Sequence, residues 1–106
     1  MNKQNINTLV LHRIVRDKTI NFEDITEEML DKILQEGGGH LKTIEKAFSL
    51  DEDEKSICLT FDDGHKSDIE LVLPKLLKIG GKATFFIVKD YLNNDGFMND
   101  KDVLQL

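Results

Sequence analysis

The segment Ile-Cys-Leu-Thr-Phe-Asp-Asp-Gly, residues 57–64, is a short apolar run that ends abruptly in two carboxylates and a glycine. Its first five residues are typical of a buried strand, because they are apolar or β-branched and too few for a buried helix. A second segment of this type, Ala-Thr-Phe-Phe-Ile-Val, occupies residues 83–88. Both segments are too apolar for an exposed hairpin, so we expect two neighbouring strands of a buried sheet.

Between these two strands the sequence predicts a helix. Ser67 and Glu70 have the spacing of a capping box, and apolar residues continue to Leu77. Pro74 is expected either to kink this helix or to mark the start of its regular part, and the helix should end at Gly80. A strand–helix–strand unit predicts two parallel strands joined by a right-handed crossover.

The preceding residues extend this α/β pattern. Residues 8–15 predict another buried strand. Asp24 and Glu27 have capping-box spacing before an amphipathic stripe, and they predict the start of a helix that the glycines at 37–39 end. A short extended piece is expected at 40–42, followed by a further helical turn at 44–48.

Polar segments punctuate the rest of the chain. The acidic run at 51–54 has Ser56, and not glycine, at the sixth position of a calcium loop, so we expect a solvated turn there. Residues 93–96 read Asn-Asn-Asp-Gly and predict a turn, and residues 100–106 predict the start of a helix.

Composition excludes several classes of protein. The 106 residues suit one compact domain, and 14 Lys and Arg against 20 Asp and Glu give a net charge of −6. That charge matches nucleic acid and anionic membranes poorly, so no nucleic-acid partner is expected. No apolar run approaches the ~20 residues of a membrane span. Residues 1–7 are polar and do not resemble a signal peptide, which makes a cytoplasmic location the default expectation. The lone Cys58 permits no internal disulfide.

Asp62 and Asp63 are the first candidates for chemistry. They follow the strand predicted at 57–61, and ligands of parallel α/β proteins gather where strands end. Gly64 lets the chain turn sharply while both carboxylates stay at this edge. Adjacent carboxylates repel each other, and a divalent cation bound by one of them would leave the other available as a base. The alternative is a simple turn whose carboxylates cap nearby N–H groups.

The histidines are weaker candidates. His12 comes late in the strand predicted at 8–15 and would lie on the same rim as Asp62, although a lone histidine there is more often structural. His65 follows Gly64 directly and is expected to be a solvated loop residue. None of the histidines, including His40, has the i, i+4 spacing that presents two imidazoles to one metal. His12, Gly64 and His65 are therefore candidates for the rim of the site. The sequence shows one metal ligand, a carboxylate of the Asp62–Asp63 pair, and does not show the further ligands that a metal site needs.

The residues around this turn resemble a known family. Leu-Thr-Phe-Asp-Asp-Gly at 59–64 is similar to the first motif of the polysaccharide deacetylases, the NodB-homology domain of carbohydrate esterase family four. The sequence around Pro74 and Lys-Ala-Thr-Phe-Phe-Ile-Val at 82–88 is similar to the family's P-x-L and K-A-T-F-F segments. Leu-His-Arg-Ile at 11–14 resembles the Tyr-His-x-Ile start of many members, with Leu11 replacing the tyrosine. The resemblance extends over nearly the whole chain.

The resemblance implies a distorted (β/α) barrel with parallel strands, of which this chain would be the amino-terminal part, truncated at its carboxyl end. It also implies a hydrolase that removes N-acetyl, or O-acetyl, groups from polysaccharides with zinc or a similar divalent ion, in some members at the cell surface. By position, Asp62 would be the general base and Asp63 a metal ligand. The family's histidine pair and general-acid histidine would follow Leu106, so we expect the chain alone to be inactive and to lack a tight zinc site.

Two other functions stay open. A magnesium-binding phosphoacceptor or phosphatase-like domain would need another aspartate after a later strand, and Asp90 is the candidate. A non-catalytic interaction module would bind a partner through apolar sheet edges that missing barrel strands leave uncovered. Such edges also predict self-association.

Overall fold

A computed structural model describes residues 5–50 and 54–106 of the chain. The strands in this part are β1 Asn5–Leu11, β2 Ile14–Val15, β3 Ile25–Thr26, β4 Lys55–Asp62 and β5 Thr84–Phe86. The α-helices are α1 Glu27–Gly37, α2 Ile44–Phe48, α3 Leu73–Ile79 and α4 Asp100–Val103. Short 3₁₀ turns cover Gly38–His40 and Lys89–Tyr91, and a π-helical segment covers Asp68–Val72.

The main sheet has the order β1-β4-β5, and both pairings are parallel. Leu11 lies opposite Phe61, and Thr60 lies opposite Thr84. The parallel strand–helix–strand unit predicted from the sequence is therefore confirmed. A second, two-stranded parallel ladder joins β2 to β3. The strands of the described residues form open sheets and no closed barrel, which agrees with the expected partial barrel.

The core lies around the central strand β4. Residues 58–61 of that strand are all buried, as is typical of a strand inside a parallel sheet. Cys58 is among them, as expected of a buried strand residue, and burial raises the pKa of its thiol. The apolar cluster joins β1, β2, β4, the helices α1 and α3, and the π-helical segment. It consists of Leu11, Ile14, Leu30, Leu34, Leu41, Leu59, Phe61, Leu71, Val72 and Leu76.

The outer strands are less buried than their apolar sequences predict. The single buried strand expected at 8–15 is two strands, β1 and β2, and Val10 in β1 is 57% exposed. The strand expected at 83–88 shortens to β5, where Phe86 is 51% exposed. Within residues 5–50 and 54–106, β1 and β5 each pair with a strand on one side only, so their other edges have no neighbouring strand.

The first helix begins differently from the prediction. Thr26, and not Asp24, is the N-cap of α1, and its hydroxyl accepts a hydrogen bond from Met29 N at 3.2 Å. Asp24 is instead buried and pairs with Arg13. The helix ends at Gly37, as predicted, with the next residue at φ +50°.

The helix between β4 and β5 also departs from the predicted capping box. Ser67 makes no cap, because its hydroxyl accepts a hydrogen bond from Ile14 N at 3.0 Å and so ties the segment to β2. The chain runs through the π-helical turn Asp68–Val72 before α3 begins, with Pro74 in its first turn. Pro74 therefore marks the start of the regular helix, one of its two predicted roles, and Gly80 ends α3 in the left-handed conformation.

The remaining local predictions are mostly confirmed. Helical turns are present at α2 and α4. The extended piece expected at 40–42 is reduced to one bridge between Leu41 and Ile57. Of the acidic run, residues 51–53 lie outside the described residues. No helix in the described part of the chain has the length and apolar character needed to cross a membrane.

Candidate functional site

The Asp-Asp-Gly turn stands at the carboxyl edge of the main sheet. Asp62 is the last residue of β4, the central strand, and lies opposite Phe86 of β5. Asp63 and Gly64 both have positive φ, +80° and +75°, so the chain reverses sharply as soon as the strand ends. Positive φ is costly for a residue with a Cβ, and an aspartate held in it is worth notice as a functional position. The tight turn keeps both carboxylates at the sheet edge.

Hydrogen bonds fasten this turn to the end of the chain. Met98 is fully buried, and its N–H donates to Gly64 O at 2.9 Å. Lys66 N donates to Gly96 O at 2.9 Å, and Lys66 Nζ lies 2.7 Å from Asp102 Oδ2 at the start of α4. Residues 96–102 therefore hold the backbone that directly follows the two carboxylates.

The two carboxylates differ in their surroundings. Asp62 Oδ1 is buried and has no hydrogen-bond partner among the residues that the structure describes. The Asp63 side chain is 37% exposed, and its Oδ2 lies 3.7 Å from His65 Nε2. One carboxylate thus has an unpaired oxygen inside the fold, and the other faces solvent beside an imidazole.

His65 is not the solvated loop residue expected from the sequence. Its side chain is 19% exposed, and its ring stacks on Phe97 with the centroids 5.0 Å apart. Burial lowers the pKa of His65, although the Asp63 charge acts in the opposite direction. The neutral imidazole, which is the form that binds metals, is therefore favoured near pH 7.

His12 also lies on this edge, as predicted. It directly follows β1, whose last residue pairs with Phe61, so His12 comes level with Asp62. Its Nε2 lies 2.9 Å from Glu23 Oε2. His40 follows α1 beside the bridge from Leu41 to the start of β4, which is the opposite edge of the sheet. The fold therefore gathers His12 and His65 near the two carboxylates and leaves His40 away from them.

The ion pair of Arg13 and Asp24 supports the loop that carries His12. Arg13 Nε donates to Asp24 Oδ1 at 2.9 Å, and Arg13 Nη2 donates to Asp24 Oδ2. Asp24 also accepts hydrogen bonds from the backbone of Ile20 and Asn21. Its hydrogen bonds with Arg13 hold the pKa of Asp24 far below the usual range for a carboxyl. Sequence reasoning missed this pair, because eleven residues separate its members and no local motif marks them.

Asp68 is a third acidic residue of this region that the sequence did not single out. It is fully buried in the π-helical segment, and neither carboxyl oxygen has a hydrogen-bond partner among the described residues. Burial, and after it the charges of Asp62 and Asp63, raise the pKa of Asp68 to about 8. An aspartate at the predicted start of a helix, between Ser67 and Glu70, gives no sign of this burial, which depends on how distant segments pack around it.

The donor set fits part of a metal site. Unpaired carboxylate oxygens and a neutral imidazole are ligands that zinc and similar divalent ions accept. Asp63 with His65 beside it, and the unpartnered Asp62 Oδ1, provide such donors. Within residues 5–50 and 54–106, however, no three His, Cys, Asp or Glu side chains lie close enough to hold a metal ion together.

The structure is a parallel α/β sheet with acidic side chains at the carboxyl end of its central strand. In proteins of this class the ligand-binding site lies in the loops at that edge. Residues 49–105 match the family model described as polysaccharide deacetylase. That match covers more than half of the chain and includes Asp62 and Asp63, so the chain belongs to the polysaccharide deacetylase family. No protein of curated function matches its sequence.

Solved structures agree with this assignment at the level of the fold. IcaB from Ammonifex degensii has a TM-score of 0.80 at 19% identity over 98% of this chain and 48% of its own. The Streptococcus pyogenes deacetylase PplD, in complex with acetate, has a TM-score of 0.79 at 20% identity over 94% of this chain and 50% of its own. BC0361, a polysaccharide deacetylase from Bacillus cereus, has a TM-score of 0.74 at 23% identity over 97% and 35%. The chain thus spans between a third and a half of these structures.

The family assignment weakens the phosphoacceptor alternative. Asp90, its candidate second aspartate, is exposed in the turn Lys89–Tyr91 and lies four residues beyond the end of β5. It therefore does not end a strand beside Asp62, as that alternative requires.

Proposed function

We propose that this chain carries the first catalytic motif of a metal-dependent hydrolase that removes acetyl groups from an N-acetylated or O-acetylated polysaccharide. The observation that carries the proposal is the position of Asp62 and Asp63, adjacent on a tight turn at the carboxyl end of the buried central strand, inside the segment matched by the family. The acetate in the Streptococcus pyogenes relative, which is the product of deacetylation, supports the same reaction class.

Asp62 is proposed as the general base. Its Oδ1 has no hydrogen-bond partner among the described residues, so no donor in that part of the chain competes for the oxygen. The oxygen can accept the proton of a water molecule that attacks the acetyl carbon. Its place at the end of a buried strand, in a turn fastened through Gly64 O, holds the carboxylate in one orientation.

Asp63 is proposed as a metal ligand, with zinc the expected ion. Its side chain is partly exposed at the same edge, which leaves it accessible to an ion. When bound, a divalent cation polarises the acetyl carbonyl and offsets the charge that develops on its oxygen. His65, 3.7 Å away and favoured in its neutral form, and His12 on the same edge are placed at the rim of this site.

Release of acetate from N-acetylglucosamine oligomers tests the reaction. The assay uses the longest natural polypeptide that contains this chain, with zinc supplied. Asp62→Asn should retain the metal and lose most turnover, since only proton abstraction is removed. Asp63→Asn should lose metal as well, measured by elemental analysis. Asp95→Asn, the same change on an exposed turn, is the matched control and should match the unmodified protein.

Two results would contradict these roles. Equal metal loss in the Asp62 and Asp63 variants would refute the division between base and ligand. Unchanged turnover in Asp62→Asn would refute the general base itself.

The chain by itself is expected to show neither acetate release nor sub-micromolar zinc binding. Zinc sites in enzymes use about three protein ligands, and the described residues bring no such group together. Tight stoichiometric binding with acetate release by residues 1–106 would show that His12 or His65 completes the site.

A further inference from the structure

A cavity beside the Asp62–Asp63 turn has no part in the roles proposed above. Its volume is about 660 Å³, within the usual range of ligand pockets (~300–1,000 Å³), and it is open to solvent like a groove. Residues that follow the turn form one wall, and the loop that precedes α4 forms the other. Its lining includes Lys66, Glu70, Asn93, Asn94, Phe97 and Asn99. The cavity therefore offers a second binding surface next to the proposed site.

Two side-chain contacts join this cavity to Asp63. Asp63 Oδ2 lies 3.7 Å from His65 Nε2, and the His65 ring stacks on Phe97 with the centroids 5.0 Å apart. The backbones meet as well, because His65 forms an antiparallel bridge with Phe97, and Met98 N donates to Gly64 O at 2.9 Å. One imidazole and one phenyl ring thus lie between Asp63 and the cavity, a separation that the neighbouring sugar of a chain can cross.

Three asparagine side chains of the lining are already oriented by the protein. Asn93 Oδ1 and Asn99 Oδ1 accept hydrogen bonds from backbone N–H groups of α4, at 3.3 Å and 2.8 Å. Asn94 Nδ2 donates to Asp90 O at 2.8 Å. An amide has a donor end and an acceptor end, so each of these side chains keeps one end for a ligand. Side chains that are held in this way lose little rotamer freedom when a ligand binds.

The chemistry of the lining selects a class of ligand. The ammonium group of Lys66 lies 2.7 Å from Asp102 Oδ2, which offsets its charge, so the cavity suits a phosphate or another anion poorly. The amides and the exposed carboxylate of Glu70 suit a ligand rich in hydroxyl groups, because a hydroxyl both donates and accepts. Phe97 adds an apolar surface of the kind that packs against the C–H groups of a sugar ring. An uncharged sugar unit matches all three features.

We propose that this cavity binds a sugar unit of the polysaccharide, next to the acetylated unit that reacts at the Asp62–Asp63 turn. The inference deepens the proposed function and rests on it for the identity of the bound chain. It gives the loop of residues 93–99 a role in holding the substrate, in addition to connecting β5 to α4. Binding energy gained at this distance from the reacting group helps to place the acetyl group at the turn.

Calorimetric titration with the hexamer of N-acetylglucosamine tests the inference. The protein is the longest natural polypeptide that contains this chain, with Asp62→Asn in every sample so that the hexamer is not consumed. Asn93→Gly removes one amide and keeps the backbone, since glycine readily adopts the φ of +67° at residue 93. Asn99→Ser removes another amide and keeps an N-cap for α4. Each change should weaken hexamer binding about three- to tenfold, the usual loss for a hydrogen bond.

Gln35→Ala is the matched control. It removes an amide from an exposed position in the last turn of α1, near the opposite edge of the sheet, and should leave hexamer affinity within about twofold. Circular dichroism spectra and melting temperatures should show all three variants folded. Hexamer affinity that neither Asn93→Gly nor Asn99→Ser changes would overturn the inference, and so would a polypeptide that does not bind the hexamer at all.

Acetate release by the unmodified polypeptide separates failure of this inference from failure of the proposed function. Acetate release together with unchanged hexamer binding in both asparagine variants would leave the deacetylase proposal intact and overturn the sugar site. Weaker hexamer binding in both variants of a polypeptide that releases no acetate would support a sugar-binding cavity and overturn the proposed reaction.

Discussion

Replacing Asp68 with asparagine should stabilise the chain at neutral pH and leave its stability almost unchanged near pH 4. The folded carboxyl has a pKa of about 8, raised first by burial and then by Asp62 and Asp63, against 3.8 for an aspartate in the unfolded chain. Well below pH 4 the carboxyl is protonated in both the folded and the unfolded chain, so its titration does not affect stability there. Asparagine has a similar shape and does not titrate, which makes it the neutral comparison.

The sign and size of the effect follow from proton linkage. Between pH 4 and pH 8 the unfolded chain releases the proton of Asp68 while the folded chain keeps it. The folded chain is therefore most stable below the pKa that Asp68 has in the unfolded chain, and it loses stability as the pH rises toward the pKa of Asp68 in the folded chain. At pH 7 the loss amounts to as much as ~4 kcal/mol, and relaxation around the charge reduces it to about 2–4 kcal/mol. Asp68→Asn should exceed the unmodified chain by that amount.

Urea unfolding followed by far-ultraviolet circular dichroism, at pH 4, 5, 6, 7 and 8 with EDTA present, measures this difference. The free-energy advantage of Asp68→Asn should grow steadily from pH 4 to pH 8. Glu70→Gln, an exposed carboxyl in the same segment, is the control and should show a difference below about 0.5 kcal/mol at every pH. A difference between Asp68→Asn and the unmodified chain that is the same at pH 4 and pH 8 would refute the reasoning.

Three further perturbations test other parts of the fold. Asp24→Asn should cost about 2–3 kcal/mol at pH 7 in urea unfolding, because it breaks a charged hydrogen bond with Arg13. Since the folded pKa of Asp24 is depressed, this cost should shrink as the pH falls below about 4, and a constant cost would argue against the ion pair. Gly64→Ala should lower the free energy of unfolding by about 1–2 kcal/mol, because φ of residue 64 is +75° and the new Cβ would lie 3.4 Å from the Ile87 side chain. Gly39→Ala is the control: its Cβ would meet nothing within 4 Å, and the free energy of unfolding should be nearly unchanged. Size-exclusion chromatography should show self-association that Val10→Lys on the exposed edge strand β1 reduces, and a monomer unaffected by the substitution would exclude that edge.

Local sequence patterns predicted the elements that short-range physics controls. The apolar run before Asp62 can only be buried. Gly38 and Gly80 follow the ends of α1 and α3 with positive φ, a backbone conformation that other residues avoid. The Asp-Asp-Gly turn is likewise local, since a strand end, two carboxylates and a glycine are consecutive. These features supported both the parallel α/β fold and the family resemblance, and the structure and the family match confirm them.

Predictions failed where a side chain had a choice of partners. Asp24 and Ser67 both occupy capping-box positions, yet one pairs with Arg13 and the other accepts a hydrogen bond from Ile14 N. A hydroxyl or carboxylate can accept a hydrogen bond from the helix N-terminus or from a donor elsewhere in the chain. Which donor it meets depends on how distant strands pack beside it. Helix starts were therefore misplaced by a few residues, although the helices themselves were predicted correctly.

The position of Asp62 and Asp63 at the end of a buried strand follows from the sequence, because hydrophobicity and chain direction alone place them there. The environment of that edge does not. The 0% exposure of Asp68, the stacking of His65 on Phe97 and the level of His12 with Asp62 arise when segments far apart in the chain pack into one layer. Burial and Coulomb interactions depend on distances in space, which a linear pattern does not contain. The residues proposed for chemistry could be recognised in the sequence, whereas the charges and burial around them are seen only in the folded structure.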